Sequence, residues 1–298
     1  MLVVVAPIAA LSACGGSSTP NTGSGSNAPS QHLYVSTTTQ IFQYALPLTS
    51  ASVPSAVLPV AAGALAVDSN GNLAAADGSN HLLIYTAPLT SSSTPSATFT
   101  NAAADPTGGN GFVAFTPSGD LVASAHNFSP PPGVSQVNVY AHPFSSATTV
   151  SQVIKTPSGA TIGVAVDGSG NLYVSSQGGF NGFINVFAPP FTGAPVVSQP
   201  AFSADGAYAA VAVNGNQVFV CRDTGFLAIY DLPITALSMP SAFLQLNFNG
   251  CFGTAIDSTG KLYAANRDGI RVYAPPFSSS SAPILTLGGV IGTIAVGK

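Results

Sequence analysis

One nine-residue pattern occurs six times along the chain and limits the folds open to it. The copies read IFQYALPLT, LLIYTAPLT, VNVYAHPFS, INVFAPPFT, LAIYDLPIT and IRVYAPPFS. Each has an aromatic residue at its fourth position, and these residues are Tyr44, Tyr85, Tyr140, Phe187, Tyr230 and Tyr273. Successive copies lie 41 to 55 residues apart. A period of this length is typical of repeat proteins whose unit is a small four-stranded sheet.

A second pattern precedes the first in each unit and reads as a strand, a tight turn and another strand. Its copies are LAVDSNGNLAAA, VAFTPSGDLVAS, VAVDGSGNLYVS, VAVNGNQVFVC and TAIDSTGKLYAA. Asp, Asn and Gly at the centre suit a tight turn, because they tolerate positive φ or bond to their own backbone. We therefore expect Asp68, Asp167 and Asp257 to stabilise turns. The seventh residue of each nine-residue pattern is a proline. It ends the predicted third strand, because proline has no backbone N–H to donate to the hydrogen-bond ladder.

One column of small residues indicates how the units are arranged. The residue two positions before the turn is alanine throughout, at Ala66, Ala114, Ala165, Ala212, Ala255 and Ala295. Six alanines at one position indicate a place where six strands crowd together, and we expect this place to be the axis of a β-propeller, where the innermost strands converge. The first unit starts at His32 without an inner strand, and residues 292–297 form an inner strand with no unit after it. The sequence therefore predicts an all-β, six-bladed β-propeller with four-stranded antiparallel blades over residues 32–298. Its C-terminal strand completes the first blade and closes the ring.

The composition agrees with strands and turns and excludes one class of partner. Only 5% of residues are charged, there is no Glu, and the net charge is −4. Helical surfaces normally carry Glu and Lys, so their scarcity argues against helices. Six scattered cations form no basic surface, which excludes nucleic acid as a partner.

The N-terminus carries a targeting signal. Leu2 to Leu11 is a short apolar run that ends in LSAC, and this run is too short to cross a bilayer. It resembles the lipobox of bacterial lipoproteins, although no Lys or Arg precedes the run. The resemblance implies a signal peptide at 1–13, lipidation of Cys14, and a Gly/Ser-rich tether at 14–31. It also implies a lipid-anchored protein of the bacterial cell envelope, in the outer membrane or at the periplasmic or cell surface, with no other membrane contact. The alternative is an ordinary signal peptide with a chance cysteine.

The repeats resemble the NHL family of six-bladed propellers. AVDSNGNLAAADGSNHLLIY, from Ala66 to Tyr85, follows that family's order of inner strand, turn, second strand ending in Ala-Asp, and third strand. The resemblance implies a scaffold that binds proteins or other ligands. Some six-bladed relatives are metal-dependent lactonases, which gives a second function to consider. The sequence identifies no ligand, and we expect a monomer with an unknown protein or small molecule as its partner.

A propeller of this strand order has two chemically different faces. The face where second strands end and inner strands begin, here termed the loop face, is where propellers usually bind ligands. The opposite face, here termed the turn face, carries the repeated turns. Residues at the second-strand ends are irregular and include many of the few charges, so we take as candidate ligand-binding residues Asp77, His126, Asn127, Gln177, Arg222, Asp223, Asn266, Arg267 and Asp268. His126 is expected to open the longest of these loops.

The hydrolase alternative would need a divalent metal. Asp77, Asp223, Asp268, Asn266 and His126 are the available ligands, and such oxygen-rich ligands would favour Ca²⁺ or Mg²⁺ over Zn²⁺. The sequence assigns no metal site, predicts no cofactor and identifies no catalytic residue. The binding scaffold is therefore the first hypothesis.

Two cysteines remain besides Cys14. Cys221 ends a second strand and Cys251 precedes the next inner strand, so both are expected on the loop face. In an exported protein a Cys221–Cys251 disulfide is the natural hypothesis, and two free, buried thiols are the alternative.

Overall fold

The computed structural model describes residues 30–102, 111–127, 134–157, 160–178, 181–200, 208–222, 224–246, 250–289 and 292–298. These residues form 24 β-strands and no helix, and hence no helix that could cross a membrane. Blade 1 contains β1 (His32–Ser36), β2 (Ile41–Ala45), β3 (Ala56–Leu58) and β24 (Ile294–Gly297). Blade 2 contains β4 (Ala64–Val67), β5 (Leu73–Ala76), β6 (His81–Tyr85) and β7 (Ala97–Thr100). Blade 3 contains β8 (Val113–Phe115), β9 (Leu121–Asn127), β10 (Val134–Tyr140) and β11 (Gln152–Lys155).

The remaining three blades follow the same plan. Blade 4 contains β12 (Ala160–Val166), β13 (Leu172–Gly178), β14 (Asn181–Phe187) and β15 (Val197–Pro200). Blade 5 contains β16 (Tyr208–Val213), β17 (Gln217–Arg222), β18 (Phe226–Asp231) and β19 (Ala242–Gln245). Blade 6 contains β20 (Gly253–Ile256), β21 (Leu262–Asn266), β22 (Gly269–Tyr273) and β23 (Leu285–Gly288).

The six sheets form a closed ring around their inner strands. Every sheet is antiparallel and has four strands, and the inner strands β24, β4, β8, β12, β16 and β20 contact one another in that cyclic order. The predicted six-bladed propeller is therefore confirmed.

The ring closes at blade 1, where the two ends of the chain share one sheet. β24 pairs antiparallel with β1, and Ala295 lies opposite Tyr34. Beyond the last pair, the Ser36 N–H donates to the Thr293 carbonyl at 2.9 Å, and the two hydroxyl oxygens are 2.6 Å apart. The C-terminal strand thus completes the first blade, as the sequence predicts.

The alanine column lies in the seams between blades and does not line the central cavity, so its expected position at the axis is wrong. Each of the six alanines belongs to an apolar cluster that its own blade shares with the following blade. The residue just before each alanine lines a cavity at the axis, and these residues are Leu65, Val113, Val164, Val211, Thr254 and Ile294. All but Thr254 also pack in the apolar cluster that their blade shares with the preceding blade. They leave a central cavity of only about 40 Å³. A space of that size holds no more than a few water molecules, so the inner strands leave little room at the axis.

The nine-residue pattern forms the third strand and its exit turn. Its aromatic residues are buried, and the X–Pro bond that follows is cis in all six blades, before Pro47, Pro88, Pro143, Pro190, Pro233 and Pro276. In blade 1 the Thr49 N–H donates to Ser52 Oγ at 2.8 Å, and the Ser52 N–H donates back to the Thr49 carbonyl at 3.1 Å. The same reciprocal bonds occur in blades 2, 3, 5 and 6. The pattern therefore recurs because each blade has the same third strand and exit turn.

Candidate functional site

The loop face carries a cavity of about 450 Å³ between blades 1, 2 and 6. None of the described residues that line it has a charged side chain. They are Ser36, Thr37, Thr38, Gly292 and Thr293 of blade 1, Ala61, Ala62, Gly63 and Gly78 of blade 2, and Phe252 of blade 6. The walls thus offer hydroxyl groups, backbone at three glycines, and one half-buried aromatic ring.

Local hydrogen bonds fix the blade 1 wall of this cavity. Thr37 Oγ1 donates to the Gln40 carbonyl at 3.0 Å and accepts from the Gln40 N–H at 3.0 Å. This holds the β1–β2 loop in a tight turn, with the Thr38 side chain exposed at the cavity mouth. The wall is therefore preformed by bonds within its own loop and by the Ser36–Thr293 contact.

Asp77 lies beside this cavity but uses its carboxylate to stabilise its own loop. Oδ1 accepts from the Ser79 N–H at 2.9 Å and from the His81 N–H at 2.7 Å, and Oδ2 lies 3.0 Å from His81 Nδ1. The turn acids make the same bonds, since Asp68, Asp167 and Asp257 each accept from the N–H groups two and four residues later. In all four turns the third residue after the aspartate has a positive φ, as at Asn80 (69°) and Gly71 (89°).

The role of Asp77 in stabilising its own loop could have been predicted from the sequence. DGSNH after Ala76 has the same spacing as DSNGN, DGSGN and DSTGK in the turns. Asn80 replaces the glycine, and asparagine is among the non-glycine residues most often found at positive φ. Asp77 is therefore a turn-stabilising residue at the edge of the cavity.

Asn266 also serves its own hairpin. Its side chain is 1% exposed, Nδ2 donates to the Leu246 carbonyl at 2.6 Å, and Oδ1 accepts from the Asp268 N–H at 2.9 Å. This arrangement leaves Arg267 and Asp268 on the exposed tip of the β21–β22 hairpin. Asp268 Oδ2 is 3.8 Å from Arg271 Nη2. The two exposed charges are accessible to a partner, but they do not line the cavity.

A disulfide joins blades 5 and 6 on the loop face. Cys221 and Cys251 are bonded through their sulfur atoms, their Cα atoms are 5.3 Å apart, and both side chains are buried. Cys221 occupies the position that Ser36, Ser124 and Ser175 hold in other blades. The next residue, Arg222, is also buried. Its neighbour Asp223 lies outside the described residues, as does Cys14.

His126, Asn127 and Gln177 lie on two extended hairpins, where only their backbone is described. His126 pairs with Ser135 across the β9–β10 hairpin, and Asn127 pairs with Val134. Gln177 lies between Ala160 and Gly182 in blade 4. His126 thus continues a seven-residue strand and does not open the loop, contrary to the sequence-based expectation.

None of the candidate residues is among the described residues that line the cavity. The candidates come from blades 2, 3, 4, 5 and 6, whereas the cavity lies between blades 1, 2 and 6. Within the described ranges no three His, Cys, Asp or Glu side chains are grouped so as to hold a metal ion. The described residues of the cavity, including Thr38, Phe252 and Thr293, are all uncharged, and none was among the candidates.

A second depression of about 450 Å³ lies on the turn face among blades 2, 3 and 4. Its lining includes Asp68, Asp167, Phe115 and His142. Asp167 Oδ2 also accepts from Asn171 Nδ2 at 2.9 Å and from the Tyr173 hydroxyl at 3.0 Å. Burial, together with this bond and the nearby carboxylate charge, raises the pKa of Tyr173. The two carboxylates that line this depression are thus occupied by their own turns.

No family model matches the chain, and no curated protein matches it. Among solved structures it is similar to a chain of a nidogen/laminin complex, with 13% identity, a TM-score of 0.63, and coverage of 90% of this chain and 98% of that one. It is similar to a 6-phosphogluconolactonase candidate from Bacteroides uniformis, with 14% identity, a TM-score of 0.60, and coverage of 88% and 83%. It is also similar to the Cps50 (Swd1) β-propeller domain of Myceliophteria thermophila, with 11% identity, a TM-score of 0.60, and coverage of 89% and 86%. At these identities the similarity establishes the fold alone.

Proposed function

We propose that this protein is an exported, lipid-anchored β-propeller that binds an uncharged ligand in the loop-face cavity. The observation that carries the proposal is the cavity's lining, in which hydroxyl groups and backbone surround a space of about 450 Å³ without a charged side chain among the described residues. Ligand pockets commonly have volumes of about 300–1,000 Å³ and a few placed polar groups. The ligand is a neutral small molecule or a neutral segment of a protein.

The lining favours a ligand with a polar edge and an apolar face. The Thr38 side chain is exposed at the mouth, while Phe252 and Ala61 supply apolar surface. Sugars and extended peptides both have this character. A charged ligand would lose its hydration without gaining an opposite charge, which is costly.

Filling the cavity mouth tests this proposal. Ala61 is exposed at the mouth, and Ala51 is exposed in the β2–β3 connection on the turn face. The melting temperature is measured across a panel of neutral saccharides and short uncharged peptides. A ligand at 100 times its Kd stabilises the native state by about 2.7 kcal/mol. A stabilising ligand should lose its effect in Ala61→Phe and keep it in Ala51→Phe. Equal binding to both variants would place the ligand elsewhere.

The lipid anchor is supported by LSAC and by the polar segment that follows it. Membership of the NHL family is supported by the repeat pattern and by the six-bladed fold. The anchor is tested by expressing the full chain in a bacterial host and determining the mass of its N-terminal peptide. Acyl chains on Cys14 are expected, and Cys14→Ser should abolish them. A mature N-terminus without acyl chains would instead support the ordinary signal peptide.

The alternative is a metal-dependent hydrolase of the lactonase kind. The name of the Bacteroides uniformis structure favours it, because that similar propeller is a lactonase candidate. Its oxygen ligands would come from the loop-face residues, with Ca²⁺ or Mg²⁺ as the ion. The melting temperature with each ion, before and after EDTA, separates the two functions. A rise that EDTA reverses and Asp268→Asn removes, together with hydrolysis of a lactone, would establish the hydrolase and displace the binding scaffold.

A further inference from the structure

The N-terminal segment joins the propeller on the turn face, at the seam between blades 6 and 1. Gln31 Oε1 accepts from the Ser258 N–H at 2.9 Å and from the Ser258 hydroxyl at 2.6 Å. The Gln31 carbonyl accepts from the Leu46 N–H at 2.9 Å. Ser258 belongs to the β20–β21 turn, so Gln31 is fixed against the turn face. The preceding residue, Ser30, is exposed there. Any anchor at Cys14 is therefore attached to the turn face.

The same face carries most of the exposed apolar side chains. Six large hydrophobic residues are exposed in the described part of the chain, and five of them lie in connections between third and outer strands. The antiparallel order of the blades places these connections on the turn face. The five residues are Val53, Val196, Leu237, Met239 and Ile284. Leu237 is 89% exposed and Met239 is 59% exposed, both on blade 5.

We propose that the turn face lies against the bilayer that anchors the protein, so that the loop-face cavity opens away from the membrane. This contact is additional to the lipid, which is expected from the sequence to be the only membrane contact. This inference rests on the proposed lipid anchor. Sixteen residues separate Cys14 from Gln31. A Gly/Ser-rich chain of that length spans about 20–24 Å on average. The tether keeps the turn face at a high effective concentration near the lipid surface, so individually weak apolar contacts are sufficient to orient the propeller.

The charge of the turn face indicates which lipids it suits. Its described residues include the five aspartates Asp68, Asp120, Asp167, Asp231 and Asp257, but only the lysines Lys261 and Lys298. An acidic face is repelled by anionic headgroups within about a Debye length. The partner surface is therefore electroneutral lipid, and anionic lipid should weaken the contact at low salt.

Oxidation of a single methionine, Met239, can report this orientation. The chain has two methionines, and Met1 lies in the predicted signal peptide, so Met239 is the only methionine of the mature chain. A second methionine introduced by Thr39→Met gives a reference on the loop face, where Thr39 is exposed. The lipidated variant is reconstituted in phosphatidylcholine vesicles, and peroxide oxidation of both methionines is followed by mass spectrometry. The reference state is the same protein in excess non-ionic detergent.

On vesicles, oxidation of Met239 should slow severalfold relative to the introduced methionine. Leu237→Thr should reduce that protection, whereas Val153→Thr, at an exposed position on the outer strand β11, should leave it unchanged. Equal rates at both sites, or protection of the loop-face methionine alone, would overturn the orientation. The mass of the N-terminal peptide is determined on the same sample. Acylated Cys14 without protection refutes the orientation alone, and absence of acyl chains refutes both the anchor and the orientation.

Discussion

Removal of the Cys221–Cys251 disulfide gives a quantitative test of how blades 5 and 6 are held together. The two cysteines are 30 residues apart in sequence. In the chain-entropy model, opening a loop of that length lowers the free energy of unfolding by about 3.6 kcal/mol at 25 °C. Unfolding entropy of about 2.1 cal/mol/K per residue, over roughly 270 residues, converts this into a fall in melting temperature of about 6–7 °C.

The perturbation is the double variant Cys221→Ser, Cys251→Ser. Serine suits position 221, because Ser36, Ser124 and Ser175 occupy the equivalent sites in other blades. Cys251 is 2% exposed, so burying a hydroxyl there adds a cost that the disulfide does not explain. Reduction of the wild-type protein avoids that cost and is the matched control.

The assay is reversible unfolding in urea and by heat, with and without a membrane-permeant phosphine reductant. Wild-type protein should lose about 3–4 kcal/mol on reduction, and the double variant should be insensitive to the reductant. Thiol labelling after unfolding, without prior reduction, should modify neither cysteine of the wild type. A reduced wild type as stable as the oxidised one would refute the reasoning, because the cross-link would then not restrict the unfolded chain as the model requires.

Three further predictions follow from the turns, the seams and the buried tyrosines. Asp167→Ala removes the acceptor of four hydrogen bonds, so the free energy of unfolding in urea should fall by about 1–3 kcal/mol. The control Asp268→Ala, at an exposed hairpin tip, should change it by less than about 0.5 kcal/mol. Ala255→Leu adds three heavy atoms in the seam between blades 6 and 1 and should cost about 1–3 kcal/mol, and an unchanged urea midpoint would contradict the crowding argument. Burial raises the pKa of Tyr34 to about 12, while tyrosine in the unfolded chain ionises near 10. The unfolded state therefore releases its proton first, so the free energy of unfolding should fall as pH rises from about 10 to 12, and Tyr34→Phe should weaken that dependence.

The fold was predictable because each blade repeats the same physical solution. The alanine column, the turn sequence and the third-strand pattern occur in nearly every unit, so their agreement identified the blades and the closing strand. The cis prolines and the small central cavity were not predicted. Neighbouring residues of an inner strand have side chains on opposite sides, and the sequence alone did not show that the residue before each alanine, rather than the alanine, would line the axis.

The candidate site was harder to predict, because charge was the signal used to find it. Asp77 and Asn266 carry polar groups that their own loops require, and Asp77 has the same spacing as the turn acids. The cavity depends on which side chains are small, as at Gly63, Gly78 and Gly292, and on how loops from three blades meet. The packing of loops from different blades is a tertiary property and leaves no local pattern in the sequence.

The six inner strands separate the two faces of the propeller, and the cavity between them at the axis is small. Substitutions on opposite faces share no contacts, so their effects on stability should add. Either surface can therefore change its specificity through its loops while the six inner strands between them stay the same.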